Sequence, residues 1–183
     1  MKEAILKRRA YRSFDAIDIT DEIIDELAEA VRLAPSCMNN QPWRYVFARG
    51  EAIKRVYGSL TRGNQAWAAE ASLIIAVTSK QDSDCVIKNR IYYLFDTGMA
   101  TAFLILRATE LGLVAHPIAG YDEQKAKEAL EIPDDMTVIT LVIVGKKSTA
   151  MNPNLSDKQV ESEKTRPARL PKESIVFIDR YSG

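Results

Sequence analysis

Residues 34–43 of this chain read APSCMNNQPW, and the fold assignment starts from this stretch. Two prolines stiffen a turn that carries one serine, two asparagines and one glutamine between a predicted helix and a predicted strand. Such a turn can hold backbone and amide groups in fixed positions, which suits hydrogen bonding to a polar heterocycle. The same residue types are common in ordinary turns, and spacing alone leaves both interpretations open.

Helical and strand patterns alternate on both sides of that turn. Thr20 can cap a helix that ends before Pro35, because apolar residues recur between them at helical spacing. The chain also predicts helices over residues 2–9, 52–60 and about 122–133, and strands over 43–48, 73–78, 114–118 and 137–144. This alternation predicts one layered α/β or α+β domain covering residues 1–183.

The longest predicted helix covers residues 89–111 and is closed by Gly112. Its second half is apolar or small on nearly every side. A helix of that kind must be buried, and a chain of 183 residues can hardly cover its whole circumference. The pattern therefore predicts a subunit interface.

The C-terminal part combines a polar stretch with a short apolar strand. Residues 146–169 show no clear period and predict a surface excursion rather than a packed element. Residues 174–178 read SIVFI and predict a final strand, which needs a sheet edge in this chain or in a partner.

Composition excludes several classes of protein. Lys plus Arg and Asp plus Glu each total 25, and zero net charge argues against a binder of nucleic acid or of an anionic membrane. No apolar run approaches the roughly 18 residues of a membrane span, and no signal peptide is visible, so we expect a cytoplasmic protein. Cys37 and Cys85 are too few for a disulfide framework and predict a reduced setting. With a single histidine and two scattered cysteines, a zinc site of the usual Cys/His type is nearly excluded.

The chain lacks the common catalytic and nucleotide-binding motifs. It has no G-x-G-x-x-G, no P-loop and no G-x-S-x-G elbow. A Ser-His-Asp triad would need His116, which precedes Pro117 at a predicted strand end. A hydrogen-bonded structural role is favoured for His116 over a catalytic one.

Two basic segments suggest an anion site. Arg8, Arg9 and Arg12 fall within five residues at a helix end, and guanidinium groups bind phosphate oxygens in a bidentate fork. Arg166 and Arg169 lie just before the predicted last strand. Solvated cations at a helix end and in a linker are the alternative explanation.

Together these segments resemble the nitroreductase-like family of FMN-dependent oxidoreductases. Residues 8–14 (RRAYRSF) match the opening pattern Arg-Arg-Ser-x-Arg-x-Phe except at Ala10. Residues 34–43 match the second pattern, Ala-Pro-Ser-x-x-Asn-x-Gln-Pro-Trp, at every specified position. Further similar segments follow in order at Asn64 and at residues 96–100, 111–113, 117–120, 142–145 and 169–171.

The resemblance implies a fold, an assembly and a reaction. The fold is α+β, with a mostly antiparallel central sheet wrapped by helices around a long central helix. The assembly is an intertwined homodimer with FMN at the interface and a last strand, residues 174–178, that crosses to the partner. The reaction is a ping-pong hydride transfer from NADH or NADPH through FMN to a nitroaromatic, quinone or related small-molecule acceptor. The flavin N5 carries the chemistry, and no protein residue is assigned as catalytic.

The resemblance also implies how the FMN phosphate is held. Arg8, Arg9 and Arg169 would bind the phosphate and the ribityl chain. Ala10 belongs to the same set but replaces the usual serine, which removes a hydroxyl that often reaches the phosphate. We therefore expect weaker phosphate binding at this position.

A second implied group surrounds the flavin ring. Arg12 and Asn64 would lie at the pyrimidine edge, where a cation stabilises negative charge on the reduced ring. Ala119 and Gly120 would offer backbone N–H groups to the N5 region. Trp67 stands where some members carry another basic residue, which predicts a lower flavin potential.

A third implied group comes from the other subunit of the dimer. It consists of Pro35, Ser36, Cys37 and Asn39. The connection between residues 79 and 89 is shorter than in many relatives, which predicts a more open substrate pocket.

Three alternatives are left by the sequence. The first is an FMN-binding protein with little NAD(P)H turnover, suggested by Ala10 and Trp67. The second is a specialised family member that acts on a non-nitro substrate. The third is a helical interaction protein that binds polyanions through Arg8, Arg9 and Arg12, which zero net charge and the match over residues 34–43 weigh against.

Overall fold

A computed structural model of the protein describes residues 2–183. The α-helices there are α1 (Lys2–Lys7), α2 (Asp21–Arg32), α3 (Glu51–Tyr57), α4 (Arg62–Ala68), α5 (Tyr93–Glu110), α6 (Glu123–Leu130) and α7 (Asp157–Lys164). The strands are β1 (Phe14–Asp15), β2 (Arg44–Ala48), β3 (Leu73–Ser79), β4 (Val86–Ile87), β5 (Arg90–Ile91), β6 (Leu113–Ile118) and β7 (Thr137–Lys147). None of these helices combines the length and the apolar character that a bilayer crossing requires.

One antiparallel sheet forms the centre of the molecule. Its strand order is β1-β7-β3-β2, and β6 also pairs with β7. Every residue of β3 is buried, as its continuous apolar run predicts for a strand covered on both faces. The strand pairs with β2 on one side and with β7 on the other, in registers that include Leu73 opposite Val144 and Arg44 opposite Thr78. The predicted α+β fold with a mostly antiparallel sheet is confirmed.

Helices cover both faces of the sheet, and alternate residues of each strand enter separate cores. Ile74 and Ala76 of β3 pack in the core that contains Trp67 and Val56. Leu73, Ile75 and Val77 point the opposite way, into the core formed with α2 and α5. The helix wrapping that the resemblance implied is therefore present.

Helix α5 is the long central helix, but it is not fully covered by its own chain. Ala100, Leu104 and Ala108 are completely buried against the sheet. On the outer side Leu94, Phe95 and Phe103 are exposed, and Phe95 retains 62% of its accessible surface. An unpaired apolar face of this kind is the signature of a contact surface.

The start of α5 differs from the prediction. Helix α5 begins at Tyr93 rather than at residue 89, because residues 86–91 form the small β4-β5 hairpin. Lys88 turns the chain there with a φ of 59°. Each of these strands has only two residues, which is too short for an alternation of apolar and polar residues to predict a strand.

Two helices lie where the sequence predicted none. Helix α3 ends at Tyr57 rather than at residue 60, and after Gly58 and Thr61 a separate helix, α4, covers residues for which the sequence predicted no element. Helix α7 lies within residues 146–169, so the prediction of an excursion without a packed element is wrong. Ser156 and Gln159 start α7 with reciprocal hydrogen bonds, and Glu163 near its end is buried. Strand β7 also runs to Lys147, into the stretch assigned as excursion.

Residues 174–178 are not a strand in this chain, contrary to the prediction. A short 3₁₀ turn covers Lys172–Ser174, and Ile175, Val176 and Ile178 after it are exposed, with 80% of the surface of Ile178 accessible. A strand requires a neighbouring edge, and this segment pairs with no strand among the described residues of this chain. Pairing with a partner subunit stays a prediction.

Candidate functional site

Five arginines line one cavity of about 210 Å³. We call them the arginine cluster: Arg8, Arg9, Arg12, Arg166 and Arg169. Ala10, Ser162 and Pro167 complete the lining, which contains no carboxylate among the described residues. The structure thus joins the N-terminal and C-terminal basic segments, which lie more than 150 residues apart in sequence.

Two of the arginines hold the cluster together by capping helix ends. Arg9 donates from its guanidinium to the carbonyl of Ser162, at 2.6 Å, in the last turn of α7. Arg166 donates in return to the carbonyls of Leu6 and Arg8 at the end of α1, at 2.6 and 2.8 Å. Helix C-termini carry unpaired carbonyls and partial negative charge, so each helix end fixes a cation from the other segment.

The electrostatics of the cluster favour a bound anion. Burial, followed by the charges of Arg166, Arg169 and Arg9, lowers the pKa of Arg8 below its ordinary value. Within residues 2–183 the Arg8 guanidinium has no hydrogen-bond partner. Burial also lowers the pKa of Arg12, which the Glu163 carboxylate partly opposes. An anion in the cavity would relieve this unfavourable crowding of positive charge, and phosphate matches guanidinium geometry.

The cluster rests on a buried aromatic floor. His116 is stacked on Trp67, with ring centroids 4.9 Å apart, and its Nδ1 lies 3.0 Å from the carbonyl oxygen of Tyr11. Burial lowers the pKa of His116 to about 4, so the imidazole is neutral near pH 7. Arg12 lies over the Trp67 ring at 5.8 Å. These contacts agree with a structural role for His116, and they place Trp67 beneath the cluster as a support.

Asn64 and Gly120, predicted for the flavin ring, are in direct contact. Asn64 Nδ2 donates to the Gly120 carbonyl at 2.9 Å, and Asn64 Oδ1 accepts from Trp67 Nε1 at 3.2 Å. A methyl group on Gly120 would lie 2.5 Å from Asn64 Nδ2, so only glycine permits this approach. Ala119, the other predicted residue of this loop, is exposed beside them.

Residues 34–43, the fingerprint loop, are anchored in the core at both ends by Ala34 and Trp43. Between these anchors the loop has strained backbone. Met38, Asn39 and Gln41 have φ angles of 49°, 58° and 48°, in the region that favours glycine. Each costs on the order of 1–3 kcal/mol and persists only where surrounding contacts enforce it.

Strong contacts hold this strained loop. Cys37 forms a disulfide with Cys85, and its N–H donates to Asp96 Oδ2 at 2.6 Å. Asn40 donates from Nδ2 to Asp84 Oδ1 at 3.2 Å. The cysteines that the sequence treated as scattered are therefore paired, because the fold brings the segment after β3 against the loop.

The predicted site residues fall into two groups within one chain. Arg8, Arg9, Ala10, Arg12 and Arg169 share the cavity with Arg166. The hydrogen bonds that involve side chains at the fingerprint loop, which carries Pro35, Ser36, Cys37 and Asn39, run instead to residues 44, 79, 84, 85 and 96 and within the loop itself. No described contact joins the loop to the arginine cluster.

Sequence reasoning missed three acidic residues at these sites: Asp84, Asp96 and Glu163. Glu163 accepts from the Arg12 N–H at 2.6 Å, and a capping pattern at Ser156 could have revealed its helix. Asp96 is only 1% exposed, in the first turn of α5. Burial, and then the nearby Asp84 carboxylate, raises the pKa of Asp96, while the Cys37 N–H opposes the shift. Acidic residues in first helical turns are common, so the sequence held no signal for this role.

The chain matches known proteins in sequence and in structure. A family model described as "Nitroreductase family" matches residues 5–62 and 57–146. The NADH dehydrogenase of Thermus thermophilus is 26% identical, over 79% of this chain and 85% of its own length. Protein DrgA of Synechocystis is 26% identical, over 97% of this chain and 95% of its own.

Solved structures show the same likeness over the whole chain. A crystal structure of an oxidoreductase containing FMN superposes with a TM-score of 0.87 at 30% identity, covering 100% of this chain and 93% of that one. A nitroreductase family protein of Clostridium difficile has a TM-score of 0.78 at 24% identity, covering 99% of each chain. The family match includes Arg8, the fingerprint loop and Gly120, and it shows that this chain belongs to the nitroreductase family of oxidoreductases.

Proposed function

We propose that this oxidoreductase binds FMN at the interface of a homodimer and transfers electrons from NADH or NADPH to a small oxidised acceptor such as a nitroaromatic or a quinone. The observation that carries the proposal is the arginine cluster. It gathers five cations around one cavity without a carboxylate in the lining, which suits the phosphate of FMN.

The arginines of the cluster divide into two roles. The guanidinium groups of Arg9 and Arg166 donate hydrogen bonds to carbonyls at helix ends, so these two residues position the cluster. Among residues 2–183 Arg8 has no such bond, and the Arg169 guanidinium donates to the nearby Pro167 carbonyl at 3.3 Å. Arg8 and Arg169 are therefore the side chains free to bind the phosphate.

The ring would lie beside Arg12 and the Asn64–Gly120 contact. When bound, FMN supplies the redox chemistry by accepting a hydride and passing electrons to the acceptor. Arg12 contributes a cation that lies over the Trp67 ring and is attracted by the Glu163 carboxylate, which also accepts from the Arg12 backbone N–H. Such a fixed charge stabilises negative charge on the pyrimidine edge. Asn64 is held by bonds at both ends of its amide, so its remaining donor and acceptor capacity has a fixed direction.

Several features support a homodimer. The outer face of α5 exposes Leu94, Phe95 and Phe103, and the C-terminal segment exposes Ile175 and Ile178. Among residues 2–183 of one chain, no hydrogen bond or ion pair joins the fingerprint loop to the arginine cluster. A second copy would bring the loop of one protomer to the cluster of the other and give the C-terminal segment a sheet edge.

Spectroscopy of the purified protein tests the proposal. After FMN is added and the unbound fraction removed, we expect flavin near one per chain and loss of its visible absorbance when NADH or NADPH is added without oxygen. An added quinone or nitroaromatic should then restore the absorbance. A protein that keeps FMN but is reduced by neither nucleotide would be a flavin-binding module, and a protein that refuses FMN would refute the proposal.

A further inference from the structure

Trp67 is buried, yet it contacts two residues that the proposed function assigns to the flavin ring. Only 1% of the surface of Trp67 is exposed. Its indole Nε1 donates to Asn64 Oδ1 at 3.2 Å, and the Arg12 guanidinium lies 5.8 Å from the centre of its ring. The N–H and the ring of one side chain therefore contact different polar groups.

The contact with Trp67 fixes the orientation of the Asn64 amide. An indole N–H can only donate a hydrogen bond, and a carbonyl oxygen can only accept one. Trp67 therefore requires Asn64 Oδ1 on its side, and the Gly120 carbonyl requires Nδ2 on the other, at 2.9 Å. Nδ2 carries two hydrogens and makes this one bond among residues 2–183. One N–H of the half-buried Asn64 thus remains as a donor for a ligand, in a fixed direction.

Other aromatic rings hold the Trp67 ring in place. His116 is stacked on it with ring centroids 4.9 Å apart, and Phe14 contacts it edge-on at 5.9 Å. His116 Nδ1 also lies 3.0 Å from the Tyr11 carbonyl oxygen, so the stack reaches the backbone next to Arg12. A cation over the face of an aromatic ring is attracted by its π electrons. The Arg12 side chain therefore rests on a rigid support.

We infer that Trp67 is a positioning residue for the flavin ring, which presents Arg12 as a cation and one Asn64 N–H as a donor to the pyrimidine edge. This inference rests on the function proposed above. Both groups stabilise negative charge, and the reduced ring carries more of it than the oxidised ring. Trp67 therefore raises the affinity for reduced FMN more than that for oxidised FMN, which raises the midpoint potential. An uncharged side chain thereby acts on the potential through two polar neighbours.

Removal of the indole N–H alone tests the inference. Trp67→Phe keeps an aromatic ring beneath Arg12 but cannot donate to Asn64. The affinity for reduced FMN should fall about threefold to tenfold relative to that for oxidised FMN, which corresponds to one hydrogen bond. For a two-electron couple this change lowers the midpoint potential by about 15 to 30 mV, measured by anaerobic titration of the FMN-loaded protein. Bound FMN with an unchanged potential would overturn the inference.

Tyr57→Phe is the matched control, because it also removes an aromatic hydrogen-bond donor to α4. The Tyr57 hydroxyl donates to the Gln65 carbonyl at 2.6 Å, and Tyr57 packs against the same core as Trp67. We expect the potential to change only in Trp67→Phe. An equal change in both variants would mean that a general loosening of α4 is the cause, and it would overturn the positioning role.

A double-mutant cycle tests whether Trp67 acts through Asn64. Asn64→Ala should lower the potential by itself, and Trp67→Phe should lower it no further in that background. Additive effects would contradict the inference. Wild-type protein that binds no FMN would refute both the proposed function and this inference. Bound FMN whose potential is insensitive to Trp67→Phe would refute the inference alone.

A second measurement uses wild-type protein and so does not depend on the folding of a variant. NMR of nitrogen-15-labelled, FMN-loaded protein follows the indole N–H of Trp67. Reduction of the flavin should shift this resonance, because hydrogen bonds in a chain polarise one another and the Asn64 amide joins the indole to the ring. The same resonance position in both redox states would overturn the inference.

Discussion

The arginine cluster and the fingerprint loop are held by opposite kinds of contact. The cluster is assembled from like charges that repel one another, and hydrogen bonds to the ends of α1 and α7 keep it in place. The loop consists of strained backbone that a disulfide and the Asp96 carboxylate hold. The arginine cluster therefore favours the binding of an anion, whereas the fingerprint loop is held by contacts within its own chain.

This difference indicates how affinity and stability are divided. Removing a phosphate-binding arginine should weaken ligand binding without weakening the fold, because the ligand-free cluster is repulsive. Removing a tie of the loop should weaken the fold, because the strain then has nothing to oppose it. The predictions below test this division in order of decreasing expected effect.

The largest effect is expected at the loop. A disulfide that closes a loop of 48 residues contributes about 4 kcal/mol in the chain-entropy model. The double variant Cys37→Ser/Cys85→Ser should therefore lower the free energy of unfolding in urea by about that amount. Wild-type protein unfolded in dithiothreitol is the control and should behave like the variant. Unchanged stability would show that the loop is held without the disulfide.

The next effect concerns the floor of the cluster. Burial lowers the pKa of His116 from 6.5 to about 4, so the folded state resists protonation. Stability that is present above pH 6.5 should fall by about 3 kcal/mol as the pH decreases to 4. His116→Gln should flatten this part of the stability curve, as urea unfolding at several pH values would show. If the stability of the variant fell as steeply with decreasing pH as that of wild type, a group other than His116 would cause the acid sensitivity.

Asp96 gives the loop the opposite pH dependence. Burial is the main cause that raises the pKa of Asp96 in the folded state. The contribution of Asp96 to folding stability is therefore complete below pH 3.8, its ordinary pKa, and is lost as the pH rises through the folded-state pKa. Asp96→Asn should therefore gain stability relative to wild type as the pH increases toward neutrality. Urea unfolding of the variant and of wild type at several pH values measures this difference, and parallel stability curves would contradict the assignment.

A smaller effect is expected for the free arginine of the cluster. Arg8→Ala should lose a charge-assisted bond to phosphate, worth about 1.5–3 kcal/mol, which is roughly 10- to 100-fold in FMN affinity. Its FMN-free stability should stay level or rise, because a crowded cation is removed. Flavin fluorescence titration and thermal melting measure the two quantities. Full FMN affinity in both Arg8→Ala and Arg169→Ala would reject the phosphate assignment.

The smallest effect is expected for Arg166, which positions the cluster, in comparison with Arg8, which is proposed to bind the phosphate. Arg166→Ala loses the bonds to the Leu6 and Arg8 carbonyls, so the FMN-free protein should lose about 1 kcal/mol of stability. Arg8→Ala is the matched comparison, since both remove one cation from the same cavity. Equal melting temperatures for the two variants would contradict the division of roles.

The sequence predicted the sheet well, for local reasons. Residues 73–79 and 137–147 are apolar enough to specify buried strands by themselves. The two family patterns matched at residues 8–14 and 34–43 consist of neighbouring residues, so they can be recognised in the sequence without a structure. The α5 boundary failed because the β4-β5 hairpin is too short to leave a period.

The remaining features depend on contacts between distant segments. Arg9 meets Ser162 across 153 positions, and Cys37 meets Cys85 only because the segment after β3 folds back on the loop. The repulsion at Arg8 and the burial that raises the pKa of Asp96 exist only after folding. No pattern along the chain encodes such juxtapositions.

The most direct test of the arginine cluster compares two flavins that differ only in the phosphate. The affinity of the protein for FMN and for riboflavin is measured by fluorescence titration at low and at high salt. We predict that FMN binds at least about 100-fold more tightly, and that salt reduces the difference by screening the arginines. Equal affinity for the two flavins would mean that the cluster does not hold the phosphate, and it would contradict the account.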